Sequence, residues 1–189
     1  MVSLEDIIKA QKNISNYIYK TPQIDSIPLS KVNQKVSLKL ESIQITGSFK
    51  LRGAINKLLS LNEEQKKRGV IAVSTGNHGK GVAYAAKKLG IKSKIFMSEL
   101  VPTHRRDAIE SLGADVEIVG TNSDEADHYA RDYAQKNNIE LIHPFDDLEI
   151  IAGQGTIGLE MLEAMPYVDT VIVPTSGGGL IGGIAIAIK

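Results

Sequence analysis

An α/β fold of two open parallel-sheet domains, the larger one incomplete, is what the sequence predicts, and three observations predict it. From Val70 onward, short strand-forming runs alternate with helical stretches, the pattern of βαβ units and a parallel sheet. A second strand-to-helix unit, Thr170–Val173 followed by Gly177-Gly178-Gly179, returns near the end of the chain. The chain then stops at Lys189 inside the apolar run Ile184-Ala185-Ile186-Ala187-Ile188, with no capping residue or polar tail. That ending reads as a truncation.

Each element follows in order. Ser3 opens an S-x-x-D capping box with Asp6, and Leu4, Ile7, Ile8, Ile14 and Ile18 recur at helical spacing. Val36–Leu40 alternates with period two, as a half-exposed strand does. Ser48 stands where an N-cap is expected, before a helix whose apolar face is Leu51, Ala54, Ile55, Leu58 and Leu59. Glu63 to Arg68 is a charge cluster and reads as a solvated helix end. Strands are expected at Val70–Val73, Lys94–Met97, Val116–Val119 and Glu140–Ile142, with helices starting near Gly79, Thr103 and Ser123. A helix near Thr156–Met165, a buried strand at Thr170–Val173 and a helix from about Leu180 complete the chain. Residues 70–144 are thereby expected to form a small domain, and residues 1–69 with 145–189 the larger one.

Composition narrows the class. The 189 residues carry 22 acidic and 22 basic side chains, so no basic excess exists to neutralise a nucleic-acid backbone. There is no cysteine, hence no disulfide and no thiolate metal site, which is compatible with a reducing compartment. The N-terminus lacks the basic start and apolar core of a signal peptide, and no apolar run approaches membrane-spanning length. A cytoplasmic globular protein with no nucleic-acid or membrane partner is expected.

The chemistry centres on Lys50, in Thr46-Gly47-Ser48-Phe49-Lys50-Leu51-Arg52-Gly53-Ala54 at a helix start. A lysine amine condenses with a carbonyl when its surroundings keep part of it neutral. Alone, Lys50 reads as a surface lysine; three glycine-containing stretches change that. In Thr175-Ser176-Gly177-Gly178-Gly179, consecutive glycines free backbone N–H groups to converge on an anion at a helix N-terminus, a place suited to phosphate. The plainer reading is a tight turn needing positive φ. Gly177, Gly179 and Gly182 also fit G-x-G-x-x-G, as do Gly153, Gly155 and Gly158. Two matches in one chain show how undemanding that pattern is. A nicotinamide-dependent oxidoreductase is the alternative it offers, but one match lacks a good preceding strand and the other a following acidic residue. Ser74-Thr75-Gly76-Asn77-His78-Gly79 gathers hydroxyls, an amide and helix-start N–H groups, a good carboxylate site or simply a capping turn. His78, beside two glycines, reads as a residue that holds the loop rather than a catalyst.

Lys50 in its Gly47–Ala54 context, Ser74 to Gly79, Gly153-Gln154-Gly155-Thr156 and Ser176 to Leu180 occur together and in this order. The set resembles the fold-type II pyridoxal-phosphate enzymes of the tryptophan synthase beta-like superfamily, specifically the serine/threonine dehydratase and serine racemase group. Ser74 to Gly79 and the serine at position 176 are most similar to hydroxyectoine-utilisation dehydratases. The resemblance implies pyridoxal 5'-phosphate as cofactor, held by Lys50 through a Schiff base, with Phe49 beside the ring and Asn77 on its phenolic oxygen. It also implies phosphate binding by Ser176, Gly177, Gly178, Gly179 and Leu180. A small amino-acid substrate would meet Ser48, Ser74, Thr75, Gly76, Asn77 and His78. The implied activity is a lyase reaction, an ammonia-lyase (dehydratase) acting on threonine, serine or a hydroxyectoine-derived amino acid, with Lys50 as base. Serine racemases carry a serine where Thr75 stands, so a racemase with Thr75 as second proton donor is the alternative. An incomplete catalyst or non-enzymatic remnant is another, since the family's pyridine-nitrogen partner and cation site lie outside the chain; no metal ligand is expected within it. The complete protein is expected to be a homo-oligomer.

Overall fold

Ser3 folds back on Asp6, and the chain becomes helical there. The Ser3 hydroxyl accepts from the Asp6 N–H while the Asp6 carboxylate accepts from the Ser3 N–H, so the capping box forms as read. The computed structural model describes all of residues 1–189. Helix α1 (Leu4–Ile14) ends before Ile18 and is followed by an antiparallel pair, β1 (Gln23–Asp25) and β2 (Ser37–Lys39). A 3-10 turn at Glu41–Ile43 leads to α2 (Lys50–Ser60) and α3 (Glu63–Arg68). Then come β3 (Val70–Val73), α4 (Asn77–Leu89), β4 (Ser93–Met97), α5 (Thr103–Glu110), β5 (Asp115–Ile118), α6 (Ser123–Asn137) and β6 (Glu140–Leu141). Two helices close the chain, α7 (Leu148–Ala164) and α8 (Gly179–Ile188). None is long and apolar enough to cross a membrane.

The parallel sheet runs β5-β4-β3-β6, with Val70 opposite both Ser93 and Glu140. Strand β3 is central and its first three residues are buried, which is why Val70-Ile71-Ala72 reads as an apolar run rather than an alternation. Because β3 and β6 are parallel neighbours, their C-terminal ends lie at one edge of the sheet. That edge therefore holds both Ser74–Asn77 and Ile142–Phe145, the position at which open α/β sheets bind ligands. One apolar core passes from Leu51, Ile55 and Leu58 of α2 through Val82 and Ala86 of α4 to Ile95 and Val116 of the sheet. On the sheet's other face, Ile71 and Phe96 pack with Ala130 of α6.

The structure departs from the sequence reading at five places. Ser48 is not an N-cap: Phe49 occupies that position already in helical geometry, and the Ser48 hydroxyl is buried without a partner. Glu63–Arg68 is a helix of its own, capped reciprocally by Asn62 and Gln65. Strand β1 is too short to leave a periodic signal. The helix expected near Thr156–Met165 begins earlier, at Leu148, so Gly153 and Gly155 as well as Gly158 lie inside α7, where they let other helices come close. Finally, Thr170–Val173 runs without a ladder partner and Ile172 is exposed, because no neighbouring strand of this chain lies alongside it.

Candidate active site

Lys50 is the first residue of α2, and its Nζ donates to the Pro144 carbonyl oxygen at 2.6 Å. No carboxylate pairs with it. Burial holds the amine below the ordinary lysine range, because removing water disfavours the charged form. The Phe49 ring lies 5.3 Å from the same nitrogen. The helix that presents Lys50 is anchored two residues later. Arg52, fully buried, donates from Nε and Nη2 to Glu41, and from Nη1 and Nη2 to Glu160. Lys39 shares Glu160, so β2, α2 and α7 meet at one ion cluster of two cations and two anions. Its charges are paired bidentately, which is what a buried guanidinium requires.

Opposite Lys50, the segment from Pro174 turns into α8 through Gly178, which sits at φ +91°. The N–H groups of Gly177 to Ile181 find no acceptor in the chain. They form a nest of donors at a helix N-terminus, where the partial positive charge favours an anion. Phe145 fixes this loop from below. A side chain at Gly177 would run into the Phe145 ring, and one at Gly179 would come within 2.6 Å of the Phe145 carbonyl oxygen. Glycine is needed here for close approach. The amine and the nest open onto one cleft of about 290 Å³, floored by Pro144 and Phe145 and bordered by Gln154.

Of the residues singled out in the sequence, Phe49, Lys50, Ser176, Gly177, Gly178, Gly179 and Leu180 line this cleft together. Ser48, Ser74, Thr75, Gly76, Asn77 and His78 do not. The Ser74 hydroxyl accepts from the Gly76 and Gly79 N–H groups, at 3.2 and 2.8 Å, and so caps the start of α4. The Thr75 carbonyl accepts from Arg105, and Asn77 is exposed at the helix start. His78 is buried, and its Nε2–H donates to the Ile142 carbonyl at 2.8 Å. Burial lowers its pKa to about 4, so it is neutral near pH 7 and serves structure. Both strand ends nevertheless face the same way, and α4 packs close to α2: a side chain on Gly81 would lie 3.2 Å from the Lys50 carbonyl carbon.

Sequence reasoning missed the Pro144 carbonyl, Phe145, Gln154 and the Arg52 cluster. Gln154 and Arg52 were visible only as letters within motifs. The Gln154 side chain is buried and its Oε1 has no partner, a polar orphan at the cleft wall. A lysine amine shifted toward neutrality, an aromatic neighbour and an amide nest across one cleft form a donor set that fits a phosphorylated aromatic aldehyde.

Comparison with known proteins agrees. Residues 14–189 match the family model described as pyridoxal-phosphate dependent enzyme. The chain is 49% identical over 191 residues to the catabolic L-threonine dehydratase TdcB of Staphylococcus aureus, covering 100% of this chain and 55% of that protein. Among solved structures, maize serine racemase superposes with a TM-score of 0.94 at 36% identity, covering 98% of this chain and 57% of that one. The processed form of threonine deaminase isoform 2 from Solanum lycopersicum gives 0.94 at 37% identity, over 98% and 51%. The chain thus spans about half the length of the curated relatives it matches.

Proposed function

The chain belongs to the pyridoxal-phosphate-dependent enzyme family, and from that premise we propose that its protein is a dehydratase of β-hydroxy amino acids, with threonine or serine as substrate. Elimination of water and hydrolysis of the resulting enamine give a 2-oxo acid and ammonia. The observation that carries the reading is the opening of the Lys50 amine and the Gly177–Gly179 amide nest onto one cleft. The 49% identity to a threonine dehydratase supplies the substrate class.

Pyridoxal phosphate, when bound, supplies the carbonyl that takes up an amino group and the ring that stores the electrons of a broken Cα–H bond. The chain's own residues account for the rest. Lys50, its pKa lowered by burial, would offer an amine to that carbonyl and would serve as the base for the proton at Cα. The donors from Ser176 to Leu180 would hold the phosphate, and Phe49 would pack beside the ring. Asn77, outside the cleft at the start of α4, would reach the ring's phenolic oxygen from the neighbouring strand end. Ser48 and Ser74 to Asn77 would bind the substrate carboxylate at the strand ends, while His78 holds the Ile142 carbonyl behind them. In the same reading, residues 70–144 form the small domain, and residues 1–69 with 145–189 the larger. The proposal also includes a cytoplasmic location and a homo-oligomer.

The test is conversion of L-threonine to 2-oxobutanoate and ammonia by the full-length protein. Lys50→Ala should abolish turnover, a loss of at least about 10²–10⁴-fold from general-base removal alone. Borohydride reduction should leave a phosphopyridoxyl mass on Lys50; an unmodified Lys50, or a fully active variant, would refute the assignment. A racemase is the second reading, favoured by the serine racemase likeness and by the hydroxyl of Thr75. Formation of D-serine from L-serine, faster than pyruvate, would select it.

A further inference from the structure

The floor of the cleft has a feature that neither the lysine nor the glycine loop explains. His143 directly precedes Pro144 and Phe145, and its Nδ1 lies 2.7 Å from the Asp146 nitrogen and 3.3 Å from the Phe145 nitrogen. Both backbone groups are donors, so Nδ1 is the acceptor and the ring proton sits on Nε2. The imidazole also packs edge-on against the Phe145 ring, with centroids 4.7 Å apart. One residue earlier, the Ile142 carbonyl is held by His78. The segment from Ile142 to Asp146 is thus pinned by two histidines in opposite roles, one donating and one accepting.

This segment supplies two parts of the site. Pro144 provides the carbonyl that holds the Lys50 amine, and Phe145 provides the ring and carbonyl against which Gly177 and Gly179 pack. We propose that His143 is a positioning residue of the lysine site: its Nδ1 closes the Pro144–Phe145 turn, and so sets both the resting place of Lys50 and the height of the phosphate loop. The inference rests on reading Lys50 as the cofactor lysine. It makes the site sensitive to acid, because a proton on Nδ1 turns the acceptor into a donor facing two donors. Burial keeps the imidazole below the ordinary histidine range, reinforced by Arg131 of α6; Asp127 of α6, Asp146 beside it and Asp147 at the start of α7 pull the other way. His78 of α4 also faces it.

The experiment compares His143→Ala with His143→Asn in the full-length protein, since the Asn Oδ1 can stand where Nδ1 accepts. Affinity for pyridoxal 5'-phosphate is measured against pH, and in the apo form the pKa of the Lys50 amine is read from its acetylation rate. His143→Ala should weaken cofactor binding about tenfold, the scale of two lost hydrogen bonds, and raise the Lys50 pKa toward the ordinary value as water reaches the amine. His143→Asn should restore both to within about threefold and remove the acid limb of the wild-type affinity profile. Variants that match each other, or an acid limb that survives His143→Asn, overturn the proposal. Nitrogen-15 spectra of wild-type His143 at pH 8 decide it without any variant: an unprotonated Nδ1 supports it, and a protonated Nδ1 overturns it. Absence of a borohydride adduct on wild-type Lys50 would overturn the reading of that lysine and this inference with it. An adduct with indifferent variants would overturn this inference alone.

Discussion

His78 is the residue whose burial has the plainest measurable consequence. The folded chain keeps it neutral down to about pH 4, while an unfolded histidine protonates near 6.5. Below 6.5 the unfolded state therefore binds the extra proton. The stability His78 contributes is fully present above that pH and is lost as pH falls toward 4, a change of about 3 kcal/mol. Urea midpoints between pH 7 and 4.5 should fall less steeply in His78→Asn than in wild type; equal slopes would show that His78 does not carry the effect. The sequence allowed this residue to be read as loop-holding, since a histidine flanked by Asn77 and Gly79 had an obvious local use. Its partner, the Ile142 carbonyl, was not legible, because the contact joins positions 64 residues apart. Lys50 was legible for the opposite reason: its neighbours in the chain announce it. The Arg52 cluster was not, since nothing local distinguishes a fully buried arginine from a surface one.

At the level of elements, α7 is the one most misjudged and most informative. Gly153 and Gly155 fall outside the helix expected near Thr156–Met165 because glycine disfavours helix by about 1 kcal/mol per residue. In the fold that cost is outweighed by proximity. A side chain on Gly153 would lie 2.6 Å from the Gly53 Cα and 2.7 Å from the Arg52 carbonyl oxygen, both of them backbone atoms that cannot step aside. Gly155 meets the Gly183 carbonyl of α8 in the same way. Gly153→Ala should therefore lower stability by about 1–3 kcal/mol despite the better helix propensity of alanine. A thermal midpoint unchanged or raised would show that α2 and α7 have room to separate. The two inner strands of the parallel sheet, β3 and β4, were legible because a strand buried on both faces betrays itself by composition. Thr170–Val173 has the same composition and no ladder, because pairing is a property of neighbours and not of the segment.

Across the whole molecule, one core runs from α2 through α4 into the sheet, so the two halves of the chain lean on each other where the site forms. The Lys50–Pro144 hydrogen bond closes a loop of 94 residues, and the ion cluster joins Arg52 to Glu160 across 108. Contacts of such separation are costly to close before others are in place, and they form late in folding. Helices can regain their hydrogen bonds in microseconds, whereas this cleft exists only after distant pieces have met. On dilution from denaturant into cofactor, far-ultraviolet circular dichroism should recover before the Lys50-linked absorbance appears; simultaneous recovery would show that the cleft forms early. The order has a counterpart during synthesis. At about 5–20 residues per second, Lys50 leaves the ribosome roughly 5–20 s before the carbonyl that will hold it. During that interval its amine is an ordinary solvated lysine, fully charged and slow to react, and the chain becomes able to capture an aldehyde only as it becomes a fold.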